Sequence, residues 1–148
     1  MKVLFIYPSI DCPAGINHGL AAMSGVLKAR GHEVSLLHAC EKLWELPSTD
    51  EILERVRAER PGIVGFSAMS QQYAWCREKA AAIRKAFPVL PLVVGGVHCT
   101  MVPEEVEEDP EWDYVGVGEA DDAFADLVDR IGQGRDTLDA ANMRVRRS

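Results

Sequence analysis

Leu92-Val93-Val94-Gly95-Gly96-Val97-His98-Cys99-Thr100 decides the fold. An apolar, β-branched run ends in two glycines and then in a small polar cluster. A run that is apolar on both faces suits a parallel strand covered by helices on both sides. The glycines remove side chains where the strand stops, which lets a ligand approach the backbone closely. In a parallel α/β sheet, ligands collect beyond the carboxyl ends of the strands. Gly65-Phe66-Ser67-Ala68-Met69-Ser70 and Tyr114-Val115-Gly116-Val117-Gly118-Glu119 end in the same way. Three strand ends decorated alike point to one large ligand laid across the sheet edge.

Outward from that stretch, strand and helix patterns alternate about five times. Residues 2–7, 33–37, 62–67, 91–95 and 113–117 read as strands. Residues 17–30 read as a helix with Leu20, Met23 and Leu27 on one face and Gly31 just past its end. Ser48 and Glu51 are spaced as a capping box, opening a helix to about residue 59 that Pro61 stops. In residues 70–87, Tyr73, Cys76, Ala80, Ile83 and Phe87 recur at three- and four-residue steps. Pro103-Glu104-Glu105 reads as a helical first turn, with carboxylates at its positive end. Residues 121–131 form a last helix, ending at Gly132. Alternating βα units imply a doubly wound, five-stranded parallel sheet of flavodoxin-like type, in the order 2-1-3-4-5. Its switch point lies between strands one and three, flanked by the loops 8–17 and 68–72. The domain is expected to span residues 1–136. Residues 137–148 read as a tail or the start of a linker, and 142–147 alternate like the start of a strand with no partner.

Composition bounds the function. The 148 residues are 47% hydrophobic, enough for one domain with a full core, and the net charge is -7. That balance argues against nucleic acid and against an acidic membrane surface. The basic Arg144-Val145-Arg146-Arg147 is too short to reverse it and reads as a frayed end. The short apolar run before Pro8 is no signal peptide, and no stretch approaches the ~20 apolar residues of a membrane span. A cytoplasmic location is expected. Cys12, Cys40, Cys76 and Cys99 are scattered without a C-x-x-C pair, which disfavours zinc, iron–sulfur and disulfide chemistry.

Several ligands fail on motif. The first loop, Tyr7-Pro8-Ser9-Ile10-Asp11-Cys12-Pro13-Ala14-Gly15, has neither G-x-G-x-x-G nor the Walker pattern. It offers only Ser9 toward the phosphate of a flavin. A phosphorylated receiver domain needs an aspartate ending strand three, where Ser67 stands, and a lysine ending strand five, where there is none.

One family fits. Val3-Leu4-Phe5-Ile6-Tyr7-Pro8, Ser67-Ala68-Met69-Ser70, Gly95-Gly96-Val97-His98-Cys99-Thr100, Pro103-Glu104-Glu105, Asp113-Tyr114-Val115 and Gly118-Glu119 occur in its order and spacing. Together they resemble the N-terminal cobalamin-binding domain of cobalamin-dependent radical SAM enzymes, over residues 2–136. The resemblance implies a corrin ring lying over the carboxyl edge of the sheet. It further implies a nucleotide tail, its dimethylbenzimidazole off the cobalt, descending beside the sheet. The contacts would come from Pro8, Ser9, Ile10 and Asp11 in the first loop. Ser67, Ala68, Met69, Ser70, Gln71 and Gln72 would contribute at the third strand end. Gly95, Gly96, Val97, His98 and Thr100 would do so at the fourth, with Gly118 and Glu119 at the fifth. Gly95 and Gly96 would open the slot for the tail, and Ser67 would offer it a hydroxyl.

Two departures accompany the resemblance. Many cobalamin carriers have Asp-x-His-x-x-Gly after strand one, whose histidine binds cobalt from below. Here Asp11 is followed by Cys12 and Pro13, so base-off binding without a histidine ligand is expected. The chain also lacks Cys-x-x-x-Cys-x-x-Cys, so it would hold no iron–sulfur cluster, and a radical SAM domain would be a separate partner. Alone, as a monomer or weak dimer, it would bind rather than catalyse. It is either an excised domain or a free-standing carrier. Two other functions remain open: a stand-alone corrinoid methyl carrier, and a flavodoxin-like nucleotide- or protein-binding domain without corrin. Individual residues keep a second reading too. His98 either touches the corrin or satisfies a loop carbonyl. Gln71 and Gln72 donate to corrin amides or face solvent. Cys99 fills space or lies near the ligand, Tyr73 packs in the core or stacks on the corrin, and His18 sits at a helix start or below the cobalt.

Overall fold

The computed structural model describes residues 1–137 and 142–145. The strands are β1 (Lys2–Ser9), β2 (Glu33–Cys40), β3 (Ile63–Ser67), β4 (Leu92–Gly95), β5 (Tyr114–Gly116) and β6 (Met143–Val145). The helices are α1 (His18–Ala29), α2 (Thr49–Glu59), α3 (Tyr73–Ala86), α4 (Val97–Met101), α5 (Pro103–Glu108) and α6 (Asp121–Gly132). A 3₁₀ turn, Ser70–Gln72, leads into α3. The sheet order is β2-β1-β3-β4-β5-β6. The first five strands are parallel, in the expected order.

The five-stranded expectation is corrected by β6, which pairs antiparallel with β5 in the register Tyr114↔Val145, Val115↔Arg144, Gly116↔Met143. The alternating stretch after Asn142 therefore has a partner. Arg144 is held against α5 by Glu107 at 2.7 Å and Glu104 at 3.3 Å. Arg146 and Arg147 lie outside the described residues.

Strand alternation divides the core. Leu4, Ile6, Val64, Phe66, Leu92 and Val94 face α2, α3 and α5, closed by Ile52, Val56, Ile83, Val106 and Trp112. Val3, Phe5, Ile63 and Val93 face α1 and α6, closed by Leu27, Phe124, Leu127 and Val128. The helix ends follow local chemistry. Ser48 and Glu51 form the capping box of α2, and Asn17 caps α1 by accepting from the Leu20 N–H at 3.0 Å. Gly31 takes φ +85° just past the C-cap Arg30, as its place there requires.

No described helix is long and apolar enough to cross a membrane.

Candidate functional site

The carboxyl ends of β1, β3, β4 and β5 open into a cavity of about 480 Å³. Strand alternation explains its position. Phe5 and Tyr7 of β1, Gly65 and Ser67 of β3, and Val93 and Gly95 of β4 point to the α1/α6 face. Toward the carboxyl edge the residues of β3 and β4 on this face become small, Ile63 giving way to Gly65 and Ser67 and Val93 to Gly95. The gap between α1 and α6 is therefore left unfilled there, while nearer the other edge Val3 and Ile63 pack tightly. The walls are Asn17, Leu20 and Met23 of α1 and Ala120, Asp121 and Phe124 of α6. The result is a slot with an apolar floor and a polar mouth.

Glycines set its width. The nearest atom to a Cβ at Gly95 would be the Gly116 carbonyl oxygen at 3.9 Å, and at Gly118 there would be nothing within 4 Å, so side chains there would occupy free space. Gly96 has a different role. Its φ is +105°, and a Cβ would stand 2.6 Å from the Ala68 carbonyl oxygen and 2.9 Å from its nitrogen. That close approach is held by backbone bonds from Ala68 N–H to Gly95 O at 2.9 Å and from His98 N–H to Ala68 O at 3.2 Å. Gly96 thus locks the β3 and β4 ends together.

The anticipated residues divide into three groups. Ser67, Ala68, Met69, Gly95, Gly96, Val97, Gly118 and Glu119 line the slot. Thr100, Gln72 and Ser9 brace the loops around it. Thr100 Oγ1 accepts from the Gly118 N–H at 3.0 Å and donates to Gly96 O at 3.2 Å. Gln72 is buried and donates to Ile10 O at 3.0 Å, joining the first loop to the β3 end. Ser9 is fully buried, with its hydroxyl 2.8 Å from His38 Nε2. Pro8, Ile10, Asp11, Ser70, Gln71 and His98 lie outside the slot lining. His98 sits 3.1 Å from Ser70 Oγ and stacks on Tyr73, ring centroids 4.2 Å apart. The Tyr73 hydroxyl donates to Asp109 and accepts from Trp112 Nε1. Burial and the Asp109 carboxylate push its phenol up. Tyr73 is therefore part of the core, and His98 is oriented from it.

Sequence reasoning missed the helical walls. Asn17 is the notable omission: besides capping α1, it donates from Nδ2 to Ser67 Oγ at 3.1 Å across the slot mouth. Asp121 of α6 was also passed over. Burial, then the neighbouring Glu119 and Asp122, raise its carboxyl above the ordinary range.

Beyond the slot, the carboxyl edge carries exposed apolar side chains. Ile16, Leu43, Trp44, Met69, Val97 and Met101 all follow strand ends, and Met101 is 69% exposed. Exposed apolar patches are characteristic of surfaces that bind a ligand or partner. Cys76 and Cys99 are buried outside the slot lining, and burial pushes both thiols up to about 12.

Comparisons with known proteins agree with this geometry. The anaerobic magnesium-protoporphyrin IX monomethyl ester cyclase of Rubrivivax gelatinosus is 28% identical over 142 residues, 91% of this chain and 25% of that protein. The radical S-adenosylmethionine methyltransferase TsrM from Kitasatospora setae, solved with cobalamin and a [4Fe-4S] cluster bound, superposes with a TM-score of 0.82. It is 24% identical, over 96% of this chain and 26% of that one. The cobalamin-dependent S-adenosylmethionine radical enzyme OxsB, with aqua-cobalamin and S-adenosylmethionine bound, gives a TM-score of 0.78 at 17% identity, covering 96% and 20%. This chain thus spans about a quarter of the length of these relatives. The B12 binding domain model matches residues 14–128. That match covers most of the sequence, including both walls of the slot and all three glycine-bearing strand ends, so this chain belongs to the B12-binding domain family.

Proposed function

We propose that this chain holds cobalamin base-off, with the corrin ring on the apolar carboxyl edge and the nucleotide tail in the slot between α1 and α6. The observation that carries this reading is the slot itself, with the open space that side chains at Gly95 and Gly118 would occupy. An apolar floor suits a flat dimethylbenzimidazole. The polar mouth, with Asn17 and Glu119, suits the ribose and phosphate above it, and the Ser67 hydroxyl suits a nitrogen of the base.

When bound, cobalamin supplies a cobalt centre able to carry a methyl group. The chain's own residues bind and orient. The glycines admit the tail, Ser67 meets its base, Glu119 contacts its polar part, and Met69, Val97 and Met101 keep water from the ring edge. Val97, His98 and Thr100 would border the ring. A radical SAM domain of methyltransferase type, outside this chain, would meet the exposed ring face and do the chemistry.

Titration of the purified chain with hydroxocobalamin, followed by desalting, tests the reading. One corrin retained per chain is the expected result. Emergence of the protein free of corrin would overturn it.

A further inference from the structure

We infer that Asn17 is a positioning residue that makes the Ser67 hydroxyl a hydrogen-bond donor into the slot; this rests on the cobalamin reading above. The Asn17 amide orientation follows from its partners. Its Oδ1 accepts from the Leu20 backbone N–H at 3.0 Å, which only an oxygen can do. Nδ2 therefore faces Ser67 Oγ, 3.1 Å away. An amide N–H can only donate, so it occupies a lone pair of the serine oxygen and leaves the serine O–H to find its own acceptor. Among the described residues no acceptor for that proton is present, and Ser67 lines the slot. A base released from cobalt exposes an imidazole nitrogen lone pair, which is an acceptor that water would otherwise satisfy. A fixed donor beside an apolar floor matches it. Asn17 and Ser67 lie fifty positions apart, and the β1–α1 loop meets the β3 end through them. This pairing thus turns a surface cap into a polarity setting for the site.

Asn17→Asp separates this role from capping. Aspartate caps a helix as well as asparagine, but its carboxylate only accepts, so the Ser67 proton turns toward residue 17 and lone pairs face the ligand. Hydroxocobalamin dissociation constants are measured for the 148-residue chain, Asn17→Asp, Ser67→Ala and the double variant. Asn17→Asp is expected to weaken binding about tenfold, as is typical of a lost hydrogen bond in a desolvated site. Adding it to Ser67→Ala should change affinity less than about twofold, because its effect passes through the hydroxyl. Equal losses in both backgrounds, or no loss in either, would overturn the inference. Asn17→Ser, which caps but is too short to reach Ser67, gives a second measure. A modest loss is expected, and it too should vanish beside Ser67→Ala; a loss that persists there would contradict the proposal. If the parent chain binds no hydroxocobalamin, the cobalamin reading itself falls and takes the inference with it.

Discussion

At φ +105°, Gly96 would bring a Cβ to 2.6 Å from the Ala68 carbonyl, whereas Gly95, one residue earlier, has open space on the slot side. Two substitutions separate these roles. Gly96→Ala is expected to destabilise the fold by about 1–3 kcal/mol through backbone strain and the clash. Chemical denaturation measures it, and a variant as stable as the parent would contradict the geometry. Gly95→Leu is expected to fold with a nearly unchanged melting temperature and to lose at least about tenfold in cobalamin affinity. Undiminished affinity in that folded variant would remove the tail from the slot. The cysteines give a second residue-level test. Cys12 is partly exposed, while Cys40, Cys76 and Cys99 are buried, the last two with thiols raised to about 12. A thiol reagent at neutral pH should therefore label one cysteine per native chain quickly and the other three only after unfolding. Fast labelling of two or more would contradict the packing.

Among the elements, α1 and α6 matter most, because they form both the slot walls and the clamp that holds them. At the end away from the slot, Asp129 of α6 receives Arg30 at 3.0 Å and His32 Nε2 at 2.7 Å. The His32 and Arg30 hydrogen bonds hold its carboxyl below the ordinary range. A depressed carboxyl stabilises the fold above its unfolded value near pH 4, and the contribution is lost as pH falls through the lower folded value. Asp129→Asn should thus cost up to about 1 kcal/mol at pH 7. The difference from the parent should close below about pH 4, followed by denaturant unfolding at several pH values. A gap unchanged at pH 2 would contradict the pairing.

Most elements were legible from periodicity and punctuation, the Ser48–Glu51 box and Gly31 among them. The exceptions have physical causes. Pro8 suggested that the first strand stops at Tyr7, yet β1 runs to Ser9. Its register with β3 ends at Ile6, so at Pro8 only β2 lies alongside, opposite Ala39, and on the β3 side no ladder bond is lost. The polar cluster after Gly96 concealed α4, which spans only five residues and leaves no readable period. β6 is three residues long, and its partner lies across the α6 excursion.

At the scale of the whole molecule, the sheet order pointed to the slot before any side chain did, since the chain turns from β2 to β3 across β1 and parallel sheets open a crevice at such a reversal. The glycine-bearing strand ends of the slot were visible in the sequence because glycine breaks an apolar run conspicuously. The helical walls were not, because Leu20, Met23 and Phe124 have the spacing of ordinary core positions. Only their tertiary placement shows a slot between them. The account's central claim is that the tail leaves the cobalt to enter that slot and that no side-chain nitrogen replaces it. The most direct measurement is electron paramagnetic resonance of the chain loaded with cobalamin reduced to cobalt(II). A nitrogen bound below the metal splits each cobalt line into three. The account predicts unsplit lines, and a resolved threefold splitting would contradict it.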